Sequence, residues 1–167
     1  MEIAFSLGSN LGDSLEYILD ARDGLQECLR TVCAEWSCLY ETEPVDVGDA
    51  YKDIPFLNAI VIVETACEVR ECLAVCGELE HRAGRVRTME RNAPRTLDVD
   101  IIYADEMEMD DDDLTIPHPR WAQRRFILQP LAELRPDLIL PGVHENVRKL
   151  LDNLQGNDKV RCFMTDW

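Results

Sequence analysis

The sequence has no apolar run near the roughly 18 residues that a membrane helix requires. Its first residues, Met1-Glu2-Ile3-Ala4-Phe5-Ser6-Leu7, hold neither the basic flank nor the long apolar stretch of a secretory leader. Histidine is scarce (81, 118 and 144), and the seven cysteines include no Cys-x-x-Cys pair, so a zinc cluster has no closely spaced ligands. An odd cysteine count also argues against a disulfide framework and for a reducing, cytoplasmic setting. Cys72 and Cys76 share a helical face with Val69, Leu73 and Leu79 and read as core residues. Lysine is rare, with three in the chain, and 33 acidic residues against 17 basic ones give a formal charge of −16. Such a surface is repelled by nucleic acid and by anionic membranes. There is no internal repeat and no Pro/Gly/Ser linker.

What is present suits one globular domain spanning residues 1–167, 46% hydrophobic and long enough to bury a core. Residues 3–7 form an apolar strand that ends at Gly8-Ser9-Asn10. Asp13-x-x-Glu16 caps a helix in which Leu15, Ile18, Leu19, Leu25, Cys28 and Leu29 recur at helical spacing. Residues 33–41 alternate as a second strand, and the β-branched run 57–64 makes a third. A second helix over 67–83 stops at Gly84, and residues 96–103 form a fourth strand. Pro-punctuated turns follow, with a short helix near 119–124 and another near 145–154. The order β-α-β-β-α-β defines an α+β, ferredoxin-like core: an antiparallel sheet with two helices on one face, plus a C-terminal extension. Two connections, 42–56 and 84–95, are long for so compact a domain, and such loops are usually functional.

The second of these loops is chemically distinctive. Residues 82–95 hold five arginines and one glutamate, a local charge of +4 in a strongly acidic chain. Arginine suits bidentate contact with phosphate oxygens, although a solvated basic loop has the same composition. Asp98 and Asp100 follow at once, separated by Val99 in a strand, so both carboxylates share one face. Two like charges side by side are tolerable when a divalent cation sits between them. Carboxylates for Mg²⁺ next to cationic clamps for phosphate are what phosphoryl transfer uses. Glu80, His118, Arg124, Phe56 and Asn58 stand near these segments. Taken singly, each reads as well as a surface, turn, core or capping residue.

Together, several motifs in register resemble the hydroxymethyl-dihydropterin pyrophosphokinase family. They are Gly8-Ser9-Asn10-Leu11-Gly12, Thr42-x-Pro44, Phe56-Leu57-Asn58-Ala59, Glu80…Gly84-Arg85-Val86-Arg87, Pro94-Arg95-Thr96-Leu97-Asp98-Val99-Asp100-Ile101 and Ile116-Pro117-His118-Pro119-Arg120…Arg124-x-Phe126. The resemblance runs from near residue 3 to about residue 140. It implies transfer of pyrophosphate from ATP to 6-hydroxymethyl-7,8-dihydropterin, with release of AMP, in folate biosynthesis. It further implies two Mg²⁺ ions on Asp98 and Asp100, and catalytic roles for Arg85 and Arg95. ATP would be contacted at Glu80, Arg85, Arg87, Arg95, Ile101, Thr115, His118 and Arg124. The pterin would lie between Phe56 and Phe126, its edge read by Asn58, near Thr42, Pro44 and Val45.

Some positions depart from the better-known members, which carry a basic residue at Thr88 and an aromatic at Asn92. Asp113 falls near a site where some members place a cation. The acidic run 105–113 reads as a solvated turn. A monomer is expected. Two other readings of the same residues are a different Mg²⁺-dependent nucleotidyl or phosphohydrolase enzyme and a nucleotide-binding module without turnover.

Overall fold

A computed structural model describes residues 1–44, 51–86, 93–156 and 159–167. The chain begins with β1 (Glu2–Ser9), α1 (Ser14–Cys28), β2 (Cys33–Trp36), β3 (Leu39–Thr42), β4 (Phe56–Glu64) and α2 (Val69–Arg82). It continues with β5 (Asp98–Ala104), the hairpin β6 (Met109–Asp110) and β7 (Thr115–Ile116), α3 (Arg125–Leu134), α4 (Val147–Asn153) and β8 (Val160–Met164). The main sheet is antiparallel with order β5-β1-β4-β3-β8, and β2 also pairs with β4. With β2 and β3 counted as one broken strand, the first four positions are the ferredoxin-like arrangement, and β8 adds an edge.

Local chemistry sets the helix ends. The Asp13 carboxylate accepts the Glu16 amide at 3.1 Å, closing the first turn of α1. Gly84, at φ +71°, takes the left-handed position just past α2, where a side chain would be strained. Alternation then divides the sheet. Ile3, Phe5, Leu7, Ala59, Val61 and Val63 face Ile18, Ala21 and Leu25 of α1 and Val69, Cys72, Cys76 and Leu79 of α2. Ala4, Ile60, Ile62, Ile102 and Tyr103 face the other way, onto Ile127, Leu128 and Leu131 of α3 and Val147 and Leu151 of α4.

The sheet is therefore covered on both faces, not on one as the β-α-β-β-α-β order suggested. The second layer is α3 and α4; α4 is the helix expected near 145–154, whereas α3 stands where the sequence read only turns and a short helix, with one 3-10 turn at 121–123. The continuous strand expected over 33–41 is also broken. Ser37 donates its amide to Ile60 O at 3.0 Å, but its hydroxyl, not its carbonyl, accepts the Ile60 amide at 3.1 Å. The freed carbonyl accepts Trp167 Nε1–H at 2.9 Å, and the Cys38 amide turns to the Glu133 carboxylate at 3.0 Å. These backbone groups at the break are paired, yet the ladder is interrupted.

Candidate active site

Register places the decisive residues. Gly8 of β1 lies between Asn58 of β4 and Asp98 of β5, and Ser6 lies opposite Asp100. Period two puts Gly8, Asn58, Asp98 and Asp100 on the face that α3 and α4 cover further along the strands. A Cβ on Gly8 would stand 3.1 Å from Asn58 Oδ1, so glycine gives the carboxamide its space. Asn58 is buried and donates from Nδ2 to Thr42 Oγ1 at 2.7 Å. Among the described residues, that bond leaves its carbonyl oxygen free for a ligand edge. Glu43 and Pro44 end the described part of this wall.

Asp98 is held by two arginines. Arg85 pairs with it and with Glu80, while Arg95 Nη1 reaches Asp98 Oδ2 at 2.7 Å. Glu80 is 7% exposed and not the surface residue its helix position suggests. Its carboxylate accepts the amide of Val99 at 3.0 Å, the residue between the two aspartates. One buried glutamate thus ties α2 to the carboxylate strand and aims Arg85.

Asp100 has its carboxyl pushed up from 3.8 to about 6, first by desolvation and then by the charge of Asp98. Among the described residues no group of three or more His, Cys, Asp or Glu side chains could hold a metal. Two hard carboxylates without a full protein cage nevertheless fit Mg²⁺, which keeps waters and takes substrate phosphates as further ligands.

These residues line a cavity of about 640 Å³ between α2 and β5. Leu73, Cys76 and Gly77 form its apolar floor, and Glu80, Arg85, Arg95, Asp98, Asp100 and Asp113 supply the charge. His118 is half-buried, and its imidazole is pushed down to about 4 by desolvation and by Arg124 and Arg120. Nδ1 accepts the Arg120 amide at 3.1 Å, which leaves the proton on Nε2 as a neutral donor. Thr115, on β7, donates its hydroxyl to Asp110 at 3.1 Å. The Ile101 side chain packs in the core, so only its backbone can meet a ligand. Arg124, just ahead of α3, lies 5.4 Å from the Phe126 ring centre, and Arg95 lies 6.0 Å from that of Phe56. Both aromatics are half-buried. Val45, Arg87, Thr88 and Asn92 lie outside the described residues.

Site and fold together define a ferredoxin-like protein with a carboxylate and arginine cleft of the type that handles phosphates. Residues 4–136 match the family model of 7,8-dihydro-6-hydroxymethylpterin-pyrophosphokinase (HPPK). The chain belongs to that family. It is 36% identical to the 2-amino-4-hydroxy-6-hydroxymethyldihydropteridine pyrophosphokinase of Bacillus subtilis, over 77% of this chain and 75% of that protein. It is 37% identical to the folic acid synthesis protein fol1 of Schizosaccharomyces pombe over 89% of its own length. It spans 20% of the length of that fungal protein and 23% of its Dictyostelium discoideum counterpart. The HPPK-DHPS of Plasmodium falciparum shares the fold, with a TM-score of 0.64 at 16% identity, covering 90% of this chain and 43% of that one.

Proposed function

We propose that this chain transfers the β,γ-pyrophosphoryl group of ATP to the hydroxymethyl of 6-hydroxymethyl-7,8-dihydropterin, releasing AMP, as a step of folate biosynthesis. The observation that carries this reading is the joining of two sites on one sheet face. Asp98 and Asp100, ringed by arginines, adjoin a buried amide, Asn58, with Phe56 on the same strand. The first group suits a triphosphate, the second a flat hydrogen-bonding heterocycle.

Asp98 and Asp100 would hold two Mg²⁺ ions. Bound there, Mg²⁺ neutralises phosphate charge and lowers the pKa of a coordinated hydroxyl. The chain's own groups do the remainder. Arg85 and Arg95 stabilise charge on the transferred and leaving phosphates, positioned by Glu80 and by Asp98. Neutral His118 donates from Nε2 to a phosphate oxygen, and Arg124, whose charge is already disfavoured by burial, gains from an anionic partner. Arg87, Thr115 and the Ile101 backbone complete the nucleotide contacts. Asn58 reads the pterin edge, Phe56 and Phe126 sandwich its ring, and Thr42, Pro44 and Val45 border it. The 167 residues act as one domain and as a monomer. All seven cysteines are free thiols, which supports a cytoplasmic setting. No helix among the described residues is long and apolar enough to cross a membrane.

Incubation with Mg²⁺, ATP and the reduced pterin tests the reading. AMP formed only when pterin is present is expected, and a chelator should abolish it. ADP, or phosphate released without pterin, would contradict it.

A further inference from the structure

The motif Gly8-Ser9-Asn10 has a member with no role so far. Asn10 sits past the last β1–β5 pair, Gly8 with Asp98, where the ladder has ended. It is nonetheless 6% exposed, and both of its bonds reach the same distant residue. Its side-chain Oδ1 accepts the Arg95 amide at 2.9 Å, and its own amide donates to the Arg95 carbonyl at 3.1 Å. Thr96 and Leu97, between this contact and β5, have no place in the ladder. Asn10 is thus the point where the chain entering β5 is fastened to the sheet.

What it fastens is the arginine that bridges the two halves of the site. The Arg95 guanidinium contacts Asp98 at 2.7 Å and lies 6.0 Å from the centre of the Phe56 ring. Its Nε is buried without a partner among the described residues, so the guanidinium is held by few fixed bonds and its placement depends on its backbone. A guanidinium sits at the end of a long side chain, and a small rotation of its backbone becomes a larger displacement at the tip. Misplacement of a positioned group by about 1 Å can cost roughly 100-fold in rate. We propose that Asn10 is a positioning residue: its two-point clamp on the Arg95 backbone sets the guanidinium between the Asp98 carboxylate and the Phe56 ring. The inference rests on the reaction proposed above, but the clamp can be tested without it.

Three readouts on the whole chain separate this role from a merely structural one. In the first, amide hydrogen exchange at Arg95 should be slow in the parent. It should quicken by about tenfold or more in Asn10→Ala and stay slow in Asn10→Asp, which keeps the acceptor oxygen. In the second, the affinity for Mg²⁺ with a non-hydrolysable α,β-methylene analogue of ATP should fall together in Asn10→Ala and Arg95→Ala. The double variant should be no weaker than Arg95→Ala alone, because Asn10 acts through Arg95. In the third, Asn10→Ala should lose roughly 100-fold in turnover, with Asn10→Asp recovering most of it. Losses that add in the double variant, unchanged exchange at Arg95, or failure of Asn10→Asp to rescue would each overturn the proposal. An inactive parent would overturn the reaction instead, and the exchange and affinity cycle would still decide the role of Asn10.

Discussion

Asp100 shows how a single side chain can be set against the stability of its own fold. Its folded pKa, raised from 3.8 to about 6, means that the neutral form is favoured in the native state. As pH rises from about 4, Asp100 ionises against burial and the Asp98 charge, and the cost is complete above about pH 6. Asp100→Asn should therefore stabilise the protein by about 1–3 kcal/mol at pH 7.5 and by little at pH 4. Urea denaturation at the two pH values checks this. Turnover by the same variant should fall by orders of magnitude, since a neutral amide is a poor Mg²⁺ ligand. Gly8→Ala should act differently, because its Cβ would crowd Asn58 Oδ1 at 3.1 Å. A raised KM for the pterin with an unchanged KM for ATP is the expected split in steady-state kinetics. Asp98, Asp100 and the arginines were legible from the sequence because adjacency carries their chemistry. Phe56 and Asn58 were not legible from local pattern, since their partners are distant in sequence: Thr42 is brought in by strand register and Arg95 by the segment that leads into β5. Glu80, taken singly, reads as an ordinary surface helix residue for a related reason: its partner, the amide of Val99, lies on another element.

The strands and helices were read most accurately where one periodicity dominated. The continuous β-branched run of β4 and the helical spacing in α1 and α2 are strong, and the helix caps are visible as Asp13 and Gly84. Helix α3 was missed because Pro130 lies inside it, a residue that removes a helical hydrogen bond and normally ends the pattern. Burial of Ile127, Leu128 and Leu131 against the sheet outweighs that penalty. Strand β8 was missed because Val160–Met164 is short and mostly exposed, and its pairing with β3 is the only sign of it. The far end of that segment does structural work. Trp167 donates to the Ser37 carbonyl at 2.9 Å, packs 6.3 Å from the Trp36 ring centre, and has Arg22 5.2 Å from its own ring centre. Trp167→Ala should cost about 1–3 kcal/mol, read as a lower urea midpoint, and leave the affinity for Mg²⁺ and nucleotide unchanged.

Across the whole molecule, the formal charge of −16 and the cationic cleft oppose each other. At about 0.01 M ionic strength the Debye length is roughly 30 Å, so an approaching triphosphate feels the entire acidic surface. Near 0.15 M it is roughly 8 Å, and the nearby arginines dominate. Affinity for ATP at saturating Mg²⁺ should therefore rise from low to physiological salt before falling at higher salt, as titration calorimetry across that range would show. An extended polyanion such as duplex DNA should stay unbound throughout, because no arrangement places all of it within reach of the cleft. The same division of charge leads to the central claim, that this face joins a nucleotide site to a heterocycle site for pyrophosphoryl transfer. The most direct measurement is the identity of the products formed from ATP and 6-hydroxymethyl-7,8-dihydropterin with Mg²⁺. AMP and the pterin diphosphate in equal amounts is the predicted result; ADP with a pterin monophosphate, or ATP left intact, would contradict it.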